Sequence, residues 1–212
     1  TIIGTYYVLT SASCFYGDYN PRSYRVRAAD YSDFLDAEPG EETGHPLRIF
    51  IHPNFTELHF HDDIAVIELM DPFNITDHLQ PVCLSSVETT ATVGIATGYG
   101  SSTYGEFPKY LSILRQTHLA IVDPSQCHEP AYHEFDDRTM ICAGDSKNGL
   151  GVDDGGCPLV VKARDGRWFQ YGVGSQHGFQ TGKPSTFVKV SPYCDFITRS
   201  TRNIVKCSNP NA

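Results

Sequence analysis

Chemistry is best sought first in Thr139–Val161, TMICAGDSKNGLGVDDGGCPLVV. A tight Asp153-Asp154-Gly155-Gly156 turn precedes Pro158-Leu159-Val160-Val161, which re-enters a strand, and this has the shape of a hydrolase's active-site loop. Such a loop needs an attacking group on the turn, a base to take its proton and a carboxylate to orient the base. The one serine of the stretch, Ser146, is not at the turn. Two other groups could react there: the carboxylate of Asp154 and the thiol of Cys157. Elsewhere, His59, His61 and Asp62 suggest a metal site, but on a strand the two imidazoles share one face and Asp62 takes the other. Without ligand spacing, a solvated loop is the better reading.

The elements that must position these residues are short and β-rich. TYYVLT, SYRVRAA, LRIFIHP, DIAVIEL, TVGIATGYG, LRQTHLAIV, CPLVVKA, RWFQYGVGS and STFVKV recur between Gly, Pro, Asn and Asp clusters. That spacing predicts antiparallel barrels or sandwiches. The best helix candidate is the tail, SPYCDFITRSTRNIV, with Ser191 as its cap and Tyr193, Phe196 and Ile197 on one side. Tyr6, Tyr7, Phe50, Trp168 and Phe169 read as barrel core, and Leu79–Ser86 as a crossing between two β halves.

The totals narrow the function classes. With 212 residues, 40% hydrophobic and 19% charged, the chain is globular and can bury a real core. A formal charge of −9 argues against a nucleic-acid partner. No apolar run approaches the roughly 18 residues of a membrane span. The chain opens directly on a strand-like run, TIIGTYYVLT, without a leader, so anything upstream has been removed or lies outside this sequence. Seven cysteines without a C-x-x-C pair weaken zinc-ribbon and thioredoxin readings. With the sequons at Asn54 and Asn74, they point to a secreted, extracellular chain.

Taken in order, these segments resemble the chymotrypsin-like serine protease family from Thr1 to about Lys206. YYVLTSASC resembles the strand leading into the catalytic histidine, HDDIAVIEL the segment of the catalytic aspartate and PVCL the crossing between barrels. TGYG resembles the opening of the second barrel, MICAG…DDGGCPLVV the nucleophile loop and GKPSTFVKVSPYCDFI the last strand and C-terminal helix. The resemblance implies an all-β fold of two packed six-stranded antiparallel barrels with a C-terminal helix. It divides a single domain, residues 1–212, into a first barrel (1–80) that lacks its N-terminal strand in this chain, a second barrel (81–190), and a helix and tail (191–207).

The same resemblance places the histidine at Ser13, the aspartate at Asp63 and, without a gap between Cys142 and Pro158, the serine at Gly155. A hydroxyl cannot serve as general base near neutral pH. Asp63 then reads as a relic bonded to nearby backbone. Placing the serine on Asp154 instead, at the cost of one extra residue, also removes the nucleophile. The oxyanion glycine becomes Asp153, whose charge about 4 Å from an oxyanion would cost on the order of 4 kcal/mol. The substrate edge reads Ser175-Gln176-His177, a pocket-wall glycine becomes Ser185, and Gly151 replaces the cysteine that braces the pocket. Loss of base and nucleophile together predicts no protease turnover.

Further expectations rest on the resemblance alone. Cys127 and Cys142 match an internal bridge, while Cys83 sits where relatives link to a propeptide or second chain, with Cys194 or Cys207 as internal alternatives. Cys157 is a free thiol or joins that set, and without a histidine beside it is a poor nucleophile. The residues that would supply an activating amine for Asp154, and a cysteine for Cys14, are not in this chain. Either the chain is a fragment or the first barrel is completed from elsewhere, since an open edge strand invites pairing. Asp30, Glu38, Glu41 and Glu42 fall near a calcium loop of some relatives, with an acidic exposed loop as the plainer reading. No other cofactor is expected.

The reading that follows is a secreted, non-catalytic protease homologue that binds proteins as regulator, cofactor or decoy of a protease, or within an extracellular complex. A subunit tied into a larger assembly through Cys14 or Cys83 is the alternative, and a residual hydrolase using Asp154 or Cys157 a third.

Overall fold

A computed structural model describes residues 1–32, 38–100, 112–128, 135–145, 147–175 and 183–211. Among the described residues the architecture is all-β with a single short α-helix near the C-terminus. The first half carries β1 (Ile2–Gly4), β2 (Tyr7–Thr10), β3 (Val26–Ala28), β4 (Glu42–Gly44), β5 (Pro46–Ile51) and β6 (Ala65–Leu69). Four of these form an antiparallel sheet in the order β1-β2-β6-β5, while β3 and β4 pair with each other as a separate hairpin.

The second half carries β7 (Cys83–Leu84), β8 (Val93–Gly98), β9 (Arg115–Ala120), β10 (Met140–Ala143), β11 (Pro158–Lys162), β12 (Trp168–Gly174) and β13 (Ser185–Lys189). Its sheet runs β10-β13-β12-β11-β8-β9, with β7 added in parallel to β12. The two ends of this path meet. Ile121, just past β9, bridges Ala143 of β10, Val122 N–H donates to Cys142 O at 3.0 Å, and Gly144 N–H donates to Ala120 O at 2.7 Å. The second half therefore curls into a closed barrel, and the first remains an open, curled sheet.

Nine strands follow runs legible in the sequence; β1 lies in the opening strand-like run, whereas β4, β7 and β10 are too short or too embedded in turn residues to stand out. The near-continuous apolar run of β6 has a physical reason. Side chains alternate along a strand, and here both faces are covered. Ala65, Ile67 and Leu69 pack inside the first half with Val8 and Phe73. Ile64 and Val66 face the seam with Leu9, Val173 and Val188, and with Tyr193, Phe196 and Ile197 of the C-terminal segment. A third cluster, including Leu119, Leu159, Phe169 and Phe187, fills the barrel of the second half.

Two expectations are corrected. Ser191 does not cap the helix by its side chain: it opens a 3-10 turn, Ser191–Tyr193, and the helix α1 spans Cys194–Ser200 without a side-chain cap. Proline at position 192 favours that tight turn entry. Among the aromatics, Tyr7 and Phe169 are core, but Tyr6 and Trp168 are each 40% exposed. Their positions explain both, because Tyr6 lies in the turn before β2 and Trp168 is the first residue of β12.

Glu68 is the one charge in β6 and is 6% exposed. Its carboxylate accepts from Arg202 beyond α1 at 2.8 Å and lies 3.9 Å from Arg48 of β5. The tail thus returns to neutralise a charge the strand would otherwise bury alone. Arg202→Ala should lower stability by about 1–3 kcal/mol, as loss of a hydrogen bond to a charged group does. Chemical denaturation checks this, and adding Glu68→Gln should recover most of the loss.

Candidate functional site

The seam between the two halves holds a buried carboxylate. Asp63 sits immediately before β6 and is fully buried. Its Oδ1 accepts from Ser13 N–H at 2.7 Å, and its Oδ2 from the Ser13 hydroxyl at 2.9 Å and the Ser175 hydroxyl at 2.8 Å. Ser13 lies in the 3-10 turn Ala12–Phe15 after β2, and Ser175 directly follows β12. The site is therefore one carboxylate clasped by the first half's turn and the second half's last barrel strands. Asp63 was expected to bond backbone; besides backbone it bonds two hydroxyls. Burial pushes its carboxyl above the usual range, and these hydrogen bonds pull it part of the way back.

The loop with the Asp-Asp-Gly-Gly turn lies across the same seam. Gly156 N–H donates to Gly174 O at 2.8 Å and Gly174 N–H to Cys157 O at 2.7 Å. Gly156 has φ +81° and fits so closely that a Cβ there would lie 2.2 Å from Thr10 Oγ1. Gly155 has no side chain, and its carbonyl accepts from the exposed thiol of Cys14 at 3.5 Å. The structure thus brings Ser13, Cys14, Asp63 and Gly155 to one place. Two hydroxyls are bonded to the carboxylate there, and Gly155 of the facing loop offers only backbone.

Asp153 adopts a left-handed backbone, φ +69°, which favours glycine but which Asp tolerates. Its side chain is exposed. Asp154 turns away from Asp63: its carboxylate accepts from Gly100 N–H at 2.8 Å and Gly151 N–H at 2.7 Å. A Cβ on Gly98 or Gly100 would come within 2.0 Å or 2.3 Å of that carboxylate, which explains the glycines of TGYG. Burial raises the Asp154 carboxyl, and the Asp153 charge adds to the shift.

Cys157 is buried against Gly174, and burial pushes its thiol far up, so it offers neither access nor thiolate. Ser185 is the buried first residue of β13. Its Oγ accepts from Leu150 N–H at 2.8 Å and stands where a Cβ on Gly149 would be 2.8 Å away. Gln176 and His177 lie outside the described residues. Sequence reading missed the role of Ser175 as an Asp63 partner, and only its place beside Gln176 hinted at it.

Cys127 is bonded to Cys142 and Cys194 to Cys207, while Cys14, Cys83 and Cys157 are free. This corrects the internal alternatives for Cys83: the helix cysteine is taken by the tail, 13 residues on. The acidic loop is also spoken for. Asp30 pairs with Arg27 at 2.9 Å, Glu38 accepts from the N–H groups of Tyr31 and Ser32, and Glu41 from Glu38 N–H. His59 and His61 stand with ring centroids 6.0 Å apart, and the described residues contain no group of three or more ligating side chains suited to a metal.

The fold agrees with the comparisons. The family model described as Trypsin matches residues 1–197, and the chain belongs to that family. It is 28% identical over 223 aligned positions to mannan-binding lectin serine protease 1 of Mus musculus. The alignment covers 95% of this chain but only 31% of that protein.

A carboxyl raised on folding takes up protons, so its contribution to stability falls as pH rises from the ordinary Asp value, about 3.9, through the raised one. Asp63→Asn removes that component. The variant's stability relative to the parent should therefore improve with rising pH across the window, as measured by urea unfolding at several pH values. Ser185→Gly should cost about 1–3 kcal/mol by leaving Leu150 N–H unpaired, read by the same method.

Proposed function

We propose that this domain is a secreted, non-catalytic member of the trypsin family that works by binding other proteins. One observation carries the reading: the Asp63 carboxylate is bonded to the hydroxyls of Ser13 and Ser175, while the facing loop presents Gly155, without a side chain. Among the described residues that arrangement contains a carboxylate and two hydroxyls, with no imidazole bonded to the carboxylate and no hydroxyl on the facing turn. A serine hydroxyl does not take up a proton near neutral pH, so Ser13 cannot serve the loop as a base. The raised, inaccessible thiol of Cys157 and the inward turn of Asp154 count against either as a substitute nucleophile.

Binding as the remaining task follows from the scaffold. Surface loops held on a rigid β framework are a general means of docking another protein. The partner is a protease, a protease substrate or another secreted subunit; the mouse relative is a protease by its name. Two disulfides and the exposed positions of Asn54 and Asn74, each in a sequon, support passage through an oxidising, glycosylating compartment. On this reading the boundary at residue 80 separates the two β halves of one domain, and that at residue 190 separates the second half from the helix and tail. A second reading, a subunit tied covalently into an assembly, draws on the free, exposed Cys14 and the free, half-buried Cys83. Electrophoresis of native material with and without reductant separates the two.

The purified chain should neither hydrolyse peptide substrates nor be labelled by a fluorophosphonate, and Gly155→Ser alone should leave both results unchanged because Ser13 supplies no base. Peptide turnover by the unmodified chain that disappears in Asp63→Asn would overturn the proposal.

A further inference from the structure

The second half carries a cavity where its barrel closes, and this cavity shares no lining residue with the site around Asp63. It measures about 130 Å³ and lies between two apolar clusters. Ile121, Ile141 and Tyr171 belong to one, Val122 and Met140 to the other. Cys142 also lines it, so the Cys127–Cys142 disulfide stiffens one wall. Two polar groups reach this apolar space. Tyr171 of β12 is 9% exposed, and its hydroxyl bonds to no described residue. A buried phenol ordinarily finds a partner. Lys189 of β13 is 8% exposed, and its Nζ donates to Glu88 Oε1 at 2.7 Å and to Asp137 O at 2.6 Å. An ammonium carries three donors, so one is left over from these two bonds.

We propose that this cavity is a docking pocket for one tyrosine side chain of a protein partner. The inference rests on the binding role argued above and names the anchor the partner brings. Size sets the first condition. A cavity of about 150 Å³ takes one benzene ring, so this one suits a single ring and is too small for an indole. It is also well below the volume that encloses a drug-sized ligand, so the rest of the occupant must lie outside, as the chain bearing a tyrosine does. Charge sets the second. A carboxylate would face Glu88 and Asp137, both exposed at the rim, and a cation would face Lys189, whose charge Glu88 already offsets. Burying either would be costly, which favours a neutral group. Hydrogen bonding sets the third. Phenylalanine would fill the space but leave the Tyr171 hydroxyl unmet, whereas a phenol brings it an oxygen. Aromatic anchors seated in pockets are also where interface energy concentrates.

The methionines give a direct readout. The chain has two, Met140 in the cavity wall and Met70, which is 58% exposed and does not line it. With the methionine methyls isotope-labelled for NMR, p-cresol, which is the tyrosine side chain itself, should shift the Met140 signal and leave Met70 in place. Toluene, which lacks the oxygen, and p-toluate, which is charged, should each need about fivefold more ligand or beyond for half the shift. Tyr171→Phe should weaken p-cresol about fivefold without moving the toluene titration. Its urea midpoint should match the parent's, because the lost hydroxyl holds no bond in the fold. The acetylated, amidated peptide Gly-Ser-Tyr-Ser-Gly should shift Met140 at least as readily as p-cresol, and its phenylalanine counterpart should not. Toluene or p-toluate binding as well as p-cresol would overturn the proposal, as would p-cresol binding without the tyrosine peptide, which would mark a site for small phenols. Hydrolysis of a peptide substrate by the same sample would instead overturn the non-catalytic reading, while the Met140 titration still decides the pocket.

Discussion

The burial of Asp63 sets the terms for the rest of the molecule. A carboxylate with no exposure is tolerable only if its oxygens are met by donors, because an unpaired buried charge costs several kcal/mol. The donors come from two places far apart in the chain: Ser13 after β2 and Ser175 after β12. To supply them, the first half's turn must touch the end of the second half's barrel. The apolar seam of Leu9, Ile64, Val66, Val173 and Val188 fixes that contact, and the carboxylate gives it a register.

The loop above the seam obeys a similar rule with different means. Asp154 is held by backbone N–H groups that approach so closely that Gly98 and Gly100 could not be other residues without a shift. Gly156 takes a left-handed conformation and lies against Thr10. Asp153 adopts the same kind of backbone with a side chain. The backbone form of the loop is therefore fixed by glycine contacts and by the inward turn of Asp154, neither of which requires any particular side chain at position 155. A loop can keep this shape while its outward chemistry changes.

What could be read from the sequence follows from where each constraint resides. Strands such as DIAVIEL and STFVKV announced themselves because their period and β-branched content reflect burial of one or both faces. That Asp63, Ser13 and the Gly155 loop lie together was legible because the segments carrying them follow the order of the resemblance. Ser175 was not legible as a carboxylate partner, since a hydroxyl's hydrogen bond depends on folding that brings residues more than a hundred positions apart together. The pairing of Cys194 with Cys207 was equally hidden; sequence separation carries no geometry, whereas the turn after α1 brings the two Cα atoms to 5.8 Å. Ser191 misled because a serine before a helical run signals a cap, yet the proline after it starts a 3-10 turn instead.

The hydrogen bonding of Asp63 bears on the proposed role as much as positions 13 and 155 do. Were the carboxylate useful only for orienting an imidazole, substitution by an apolar residue would often be neutral or stabilising once that imidazole is gone. Here it has a second occupation, since Ser13 approaches through both its N–H and its hydroxyl and Ser175 through its hydroxyl. Serine at position 13 is small enough to sit against the carboxylate and polar enough to satisfy it. The replacement that, on the proposed reading, removes a base also supplies a hydrogen-bond donor to a group the fold keeps buried. On the proposed reading, the site's polar network has passed from catalysis to holding two halves in register, and the partner-binding loops inherit the rigidity of that joint.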